Sequence, residues 1–252
     1  MNLTNKEKAQ IYHKAVSNYD VKTIEAMVCE NYIQHNPMVP TGRAAFLAMI
    51  PQLEKHNSKI QNIRIFQDGS HVIMHHLWKQ AIPFGAEEKV AFHIIRFDGR
   101  GLIAEHWSVM TDVAKPNLSG RSLTDGPTEI AELGKTEKNK ELVVKLFYSL
   151  VQNKIISYPD IFRDFFKPDF SQHHPSMSDG IQGFKAPKYY RQHKVFSSGN
   201  FVLSISEGIQ NDNLTAFYDL FRLENDLIVQ HWNIYQKIPQ TNLANENTMF
   251  GF

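Results

Sequence analysis

The spacing of apolar and polar residues changes from a helical period to a strand period twice along the chain, in the same order each time. In the first half, residues 6–18 set Ile11, Tyr12, Ala15 and Tyr19 at roughly helical spacing, and Thr4 with Glu7 offers a capping box ahead of them. A second short helix is expected after Asp20 and a third over 42–53. Runs rich in Ile, Val and Phe then predict strands at 60–66, 71–79, 89–97 and 102–111. Asp98-Gly-Arg-Gly101 supplies hairpin chemistry between the last two, because glycine reaches the positive φ of tight turns. The second half predicts helices at 138–151 and 160–166, then strands near 189–196, 201–208, 214–223 and 227–237. Helices followed by an antiparallel sheet imply an α+β domain whose helices pack on one face of a curved sheet, leaving a cone-shaped cavity.

Residue identities repeat along with the periodicity. Tyr32-Ile-Gln-His-Asn-Pro37, followed by Gly42, returns as Phe170-Ser-Gln-His-His-Pro175, followed by Gly180. Phe66-Gln-Asp-Gly69 returns as Phe196-Ser-Ser-Gly199, and Leu102-Ile-Ala-Glu-His-Trp107 as Leu227-Ile-Val-Gln-His-Trp232. Three ordered blocks at slowly shrinking offsets are the mark of a duplication followed by loop deletion. The copies are expected at 1–115 and 138–252, joined by a linker at 116–137 rich in Pro, Gly, Asn and Ser. Gly42 and Phe66 lie 24 positions apart but Gly180 and Phe196 only 16, so the third helix should be shortened in copy two.

Composition narrows the partners. The 252 residues carry 27 Lys plus Arg against 26 Asp plus Glu, which provides no strong field for nucleic acid or anionic lipid. Cys29 is the single cysteine, so there is no internal disulfide framework. The first residues lack the apolar core of a signal peptide and no apolar run could cross a bilayer, so a cytoplasmic protein is expected.

Candidate chemistry gathers on the last hairpin of each copy. Aligning Arg96 with Arg222 sets His93 against Asp219. Pairing Phe97 with Leu102 brings His93 opposite His106, and pairing Leu223 with Leu227 brings Asp219 opposite His231. A carboxylate beside an imidazole favours its charged form and selects its tautomer, so these four are the candidate catalytic residues, although such pairs also occur as purely structural networks. His35 and His173 leave the helices near the expected pocket mouth, while Trp107 and Trp232 should face away from the neighbouring histidines and serve packing. The rival reading joins His35, His75, His93 and His106 around a metal. No compact spacing such as His-Glu-x-x-His supports it, and no metal or cofactor is expected.

The block from Asp219 to Trp232 resembles the closing hairpin of SnoaL-like proteins in the nuclear transport factor 2-like superfamily. Gln34-His-Asn-Pro37 and Asn247-Thr-Met-Phe250 are similar to two further family blocks. That resemblance implies a pocket for a small apolar molecule, in a superfamily that includes polyketide cyclases, isomerases, dehydratases and plain binding proteins. His75 matches a histidine often found on the family's second strand, and Tyr32, His35, Ser108, His173 and Asn233 join it as expected ligand-binding positions. Where the family commonly reads His-Trp-Asp, this chain has Ser108 and Asn233, so both copies lack that carboxylate. The implied function is cofactor-independent acid-base chemistry on an enolisable carbonyl compound, and the alternative is a non-catalytic binding or scaffold protein with degenerate pockets. Single domains of the family often pair through their sheets, which implies an intramolecular pseudo-dimer, with further self-association left open.

Overall fold

In the computed structural model, which describes residues 3–152 and 158–252, Thr4 and Glu7 form the expected capping box and start α1 (Asn5–Ser17). Asp20 caps α2 (Val21–Met27) by accepting from the Thr23 backbone N–H at 3.1 Å. The third expected helix is two short ones, α3 (Arg43–Leu47) and α4 (Ile50–Lys55). Pro51 explains the break: it has no N–H to give to the Leu47 carbonyl, so the first helix cannot run on.

The chain divides into two compact units, Met1–Asp112 with Pro239–Gly251, and Val113–Ile238 with Phe252. The first unit's sheet holds β1 (Val28–Gln34), β2 (Lys59–Asp68), β3 (His71–Lys79), β4 (Glu88–Phe97) and β5 (Ile103–Asp112), in the spatial order β1-β5-β4-β3-β2. The second unit has α5 (Thr136–Val151) and α6 (Tyr158–Phe165), then β6 (Phe166–Gln172), β7 (Lys188–Ser198), β8 (Phe201–Gln210), β9 (Asn213–Glu224) and β10 (Leu227–Lys237), ordered β6-β10-β9-β8-β7. Between β6 and β7 only a 3-10 turn at Ile181–Gly183 stands where the first unit has two helices.

Each sheet is therefore five-stranded and mixed rather than four-stranded and antiparallel. β1 runs parallel to β5 and β6 parallel to β10. Both extra strands end at the glutamine of the repeated Gln-His block, and their own mix of charged and apolar residues hides a strand from period counting. The repeated glycine that follows has a backbone cause. Gly42 (φ 90°) and Gly180 (φ 74°) both adopt a conformation that L side chains rarely take, while donating N–H to the Tyr32 and Phe170 carbonyls at 2.9 Å each.

Helices cover one sheet face in each unit. Ala9, Tyr12, Ala15 and Val16 of α1 pack on Val72, Met74, Ala91 and Ile95, and Val143, Leu146, Phe147 and Leu150 of α5 share a core with Phe217 and Phe221. No helix among the described residues is long and apolar enough to cross a membrane.

Candidate functional site

The closing hairpins are displaced by two residues from the expected register. The pairing runs one residue wider at the turn, Phe97 with Ile103, and a bulge adds a second before Arg96 meets Glu105. His93 thus pairs with Ser108, and His106 with Ile95. The second unit carries the same bulge, so Asp219 pairs with Asn233, and His231 with Phe221. A two-residue shift preserves which face each side chain occupies, and the intended partners meet diagonally instead of directly. His93 and His106 have ring centroids 4.5 Å apart, and His231 Nε2 lies 2.8 Å from Asp219 Oδ1.

On the helix-facing side of the first sheet, four imidazoles form one buried group. His13 comes from α1, His76 from β3, His93 from β4 and His106 from β5, none more than 8% exposed. His93 lies 4.2 Å from His76 and 5.7 Å from His13 between ring centroids, and Trp78 packs its ring 6.2 Å from His76. Loss of water disfavours the charged form, holding His13 down at about 4 and His106 at about 3, with His76 and His93 also well below the ordinary histidine value. All four are neutral at neutral pH.

A chain of hydrogen bonds fixes the His106 tautomer. The Asn36 backbone N–H donates to Gln34 Oε1 at 2.9 Å, which orients the Gln34 amide. Gln34 Nε2 then donates to His106 Nδ1 at 2.8 Å and to the Tyr32 hydroxyl at 3.1 Å. With Nδ1 accepting, the ring proton sits on Nε2, which is buried with no partner among the described residues. Asn36 Nδ2 donates to Ser108 Oγ at 3.2 Å, and Asn245 Nδ2 donates to the Asn36 carbonyl at 2.9 Å, so the segment after Pro239 supports the same network.

The second unit repeats the scaffold with a different outcome. The His174 backbone N–H orients Gln172, and Gln172 Nε2 donates to His231 Nδ1 at 2.9 Å. Here His231 Nε2–H is taken up by Asp219, which also accepts from Asn233 Nδ2 at 2.6 Å and from the Tyr189 hydroxyl at 3.1 Å. His93 occupies the corresponding strand position in the first unit, and that exchange leaves the His106 N–H open.

Three expected pocket residues lie on the other sheet face. His75 accepts from Arg64 Nη1 at 3.0 Å and stacks on Phe92, pointing away from His76 and His93. His35 stacks on Trp107 at 4.4 Å between ring centroids, and its ring nitrogens meet the Thr248 carbonyl at 2.9 Å and Glu105 at 3.0 Å. His173 stacks on Trp232 at 4.3 Å and contacts the Ser122 carbonyl and Asp125. Strand alternation dictates all three placements: residue 34 faces His106, so residue 35 cannot. The two tryptophans do face away from His106 and His231, packed on these histidines. Sequence reasoning missed His13 and His76. The run His71-Val-Ile-Met-His-His-Leu-Trp78 is apolar or aromatic on both faces, so its parity is silent, whereas His13 sits one residue from Tyr12 on the face of α1 that packs inward.

Residues 9–106 match the family model of the SnoaL-like domain, a stretch within the first unit. No curated protein sequence matches the chain. Among solved structures, an NTF2-like protein of unknown function from Cytophaga hutchinsonii is 15% identical over 44% of this chain and 93% of its own, with a TM-score of 0.37. IdmH, a candidate polyketide cyclase of Streptomyces antibioticus, is 17% identical over 43% of this chain and 92% of its own, with a TM-score of 0.36. An uncharacterised cystatin-fold protein of Novosphingobium aromaticivorans is 15% identical over 43% of this chain and 99% of its own, with a TM-score of 0.39.

Proposed function

We propose that the first unit binds a small, largely apolar carbonyl compound against the helix-facing side of its sheet and moves a proton at the carbon beside the carbonyl. Cyclisation, isomerisation and dehydration all proceed through such an enolate. The observation that carries this reading is the buried His106 Nε2–H, held in one tautomer and given no acceptor among the described residues, next to the neutral imidazole of His93. A fixed N–H in a dry site stabilises a developing enolate oxygen, and it does so best from a neutral ring that keeps its proton. His93 is the group that would take the carbon-bound proton, a role that typically contributes about 10²- to 10⁴-fold in rate. Tyr32 and Ser108 flank the two rings, and the SnoaL-like match of residues 9–106 spans Tyr32, His93 and His106 and ends two residues before Ser108. In the second unit Asp219 uses up the His231 proton and the Asn233 amide. That half is read as a second copy of the domain with a structural core in place of a working site.

Solvent deuterium incorporation into a panel of cyclic and aromatic enolisable ketones tests the reading. Exchange is expected with the wild-type chain, reduced about 100-fold or more in His93→Phe and in His106→Phe and retained in His231→Gln. Exchange that survives in the double variant would overturn the assignment. Tight binding without exchange would favour the non-catalytic binding protein.

A further inference from the structure

We infer that His13, His76 and His93 form a binding site for one divalent transition-metal ion of the zinc class. One ring nitrogen from each lies within 4.8 Å of the other two, and all three side chains are buried. Tetrahedral zinc with Zn–N bonds of about 2.0–2.1 Å sets its nitrogens about 3.4 Å apart, so closure requires the longest separation to shrink by up to about 1.4 Å. His93 is free to make that movement, since its ring has no hydrogen bond among the described residues.

The arrangement of protons points the same way. His13 Nδ1–H donates to Asn62 Oδ1 at 2.7 Å, and His76 Nδ1–H donates to the Met74 carbonyl at 3.3 Å. Each bond puts the proton on Nδ1 and leaves a bare lone pair on Nε2, and both of those Nε2 atoms are buried without a partner among the described residues. Buried acceptors left unmade cost about 1–3 kcal/mol each, and here they belong to two rings whose centroids are 4.9 Å apart. A cation at the common centre relieves both penalties. Oxygen acceptors on the far nitrogen are also the usual outer shell of metal-bound histidine, where they fix the tautomer and raise ligand basicity. Three neutral imidazoles with no carboxylate or thiolate suit zinc, copper, nickel or cobalt rather than calcium or magnesium.

Three protein ligands leave the fourth position open to water or to a substrate oxygen. His106 is the adjacent imidazole and carries its own unused N–H, so it is placed to donate to whatever the ion holds. The inference goes beyond the carbonyl reading and shares His93 with it: a bound ion occupies the His93 nitrogen, so proton transfer at carbon would belong to the metal-free protein, whereas the titration below reads the metal alone.

The test is titration of the full-length chain, freed of metal by chelation, with Zn²⁺ by calorimetry and with Co²⁺ by visible absorption. One equivalent per chain and the d–d bands of tetrahedral cobalt are expected. Affinity should fall at least 100-fold in His13→Gln and in His76→Gln, about 10- to 100-fold in Asn62→Leu through the lost outer-shell contact, and not at all in His56→Ala, half-buried at the end of α4. Circular dichroism establishes that each variant is folded, and the wild-type cobalt spectrum stands even if one is not. No stoichiometric binding by the folded wild-type chain, an octahedral cobalt spectrum, or binding retained in both histidine variants would each overturn the site.

Discussion

Replacing Asp219 by leucine isolates what the second unit's network contributes. The carboxylate is fully buried and accepts from the His231 ring, the Asn233 amide and the Tyr189 hydroxyl. Leucine fills a similar volume but strands three donors, at about 1–3 kcal/mol each if none finds water. Burying the new apolar group, and removing a carboxylate that was itself costly to desolvate, offset part of that by about 2 kcal/mol. The net loss is therefore about 1–7 kcal/mol, confined to the second unit. Native-state hydrogen exchange read by mass spectrometry resolves it, because amides of β9 and β10 should lose protection while those of β4 and β5 keep theirs. Unchanged or raised stability would refute the view that this cluster is a satisfied structural network. So would an equal loss of protection in β4 and β5.

Burial, with the neighbouring His231, holds His174 down at about 4, so the folded protein keeps it neutral while the unfolded chain takes up a proton below about 6.5. Second-unit stability should then be complete above pH 6.5 and fall by up to about 3 kcal/mol towards pH 4; urea melts across that window check it, and His174→Gln should flatten the slope. Asn245→Ala removes three hydrogen bonds, two donated to the Asn36 and Val39 carbonyls and one that Oδ1 accepts from the Asn247 N–H, and should destabilise the first unit by about 1–3 kcal/mol in the same assay. Gln34→Leu deletes the donor to His106 Nδ1, so two-bond proton–nitrogen correlation spectra should lose the fixed Nε2–H form; an unchanged tautomer would contradict the role given to Gln34.

Much of this molecule could be read from residue order. The eight strands with clear apolar patterning lie within a few residues of their expected places, and the capping box at Thr4 forms as its spacing requires. β1 and β6 escaped because a short edge strand paired in parallel needs no alternating face, and Val28-Cys-Glu-Asn-Tyr-Ile-Gln34 shows none. The site was half legible. His93 and His106 were placed on one face by counting back from the turn, and the count survived because the turn and the bulge each added one residue. His13 could not be found that way, since its distance from His76 and His93 depends on how α1 lies across the sheet. His35 and His75 misled for the opposite reason: each is adjacent in sequence to a residue of the site, and in a strand adjacency means the other face.

The account rests on ligand meeting the first unit's histidines, and on the second unit's pair being committed to structure. Titrating the 15N-histidine-labelled chain with enolisable ketones and following the imidazole resonances tests both together. Saturable shifts are expected at His93 and His106, with His173, His174 and His231 unmoved. Shifts confined to His231 and its neighbours, or saturable binding that leaves His93 and His106 unchanged, would contradict it.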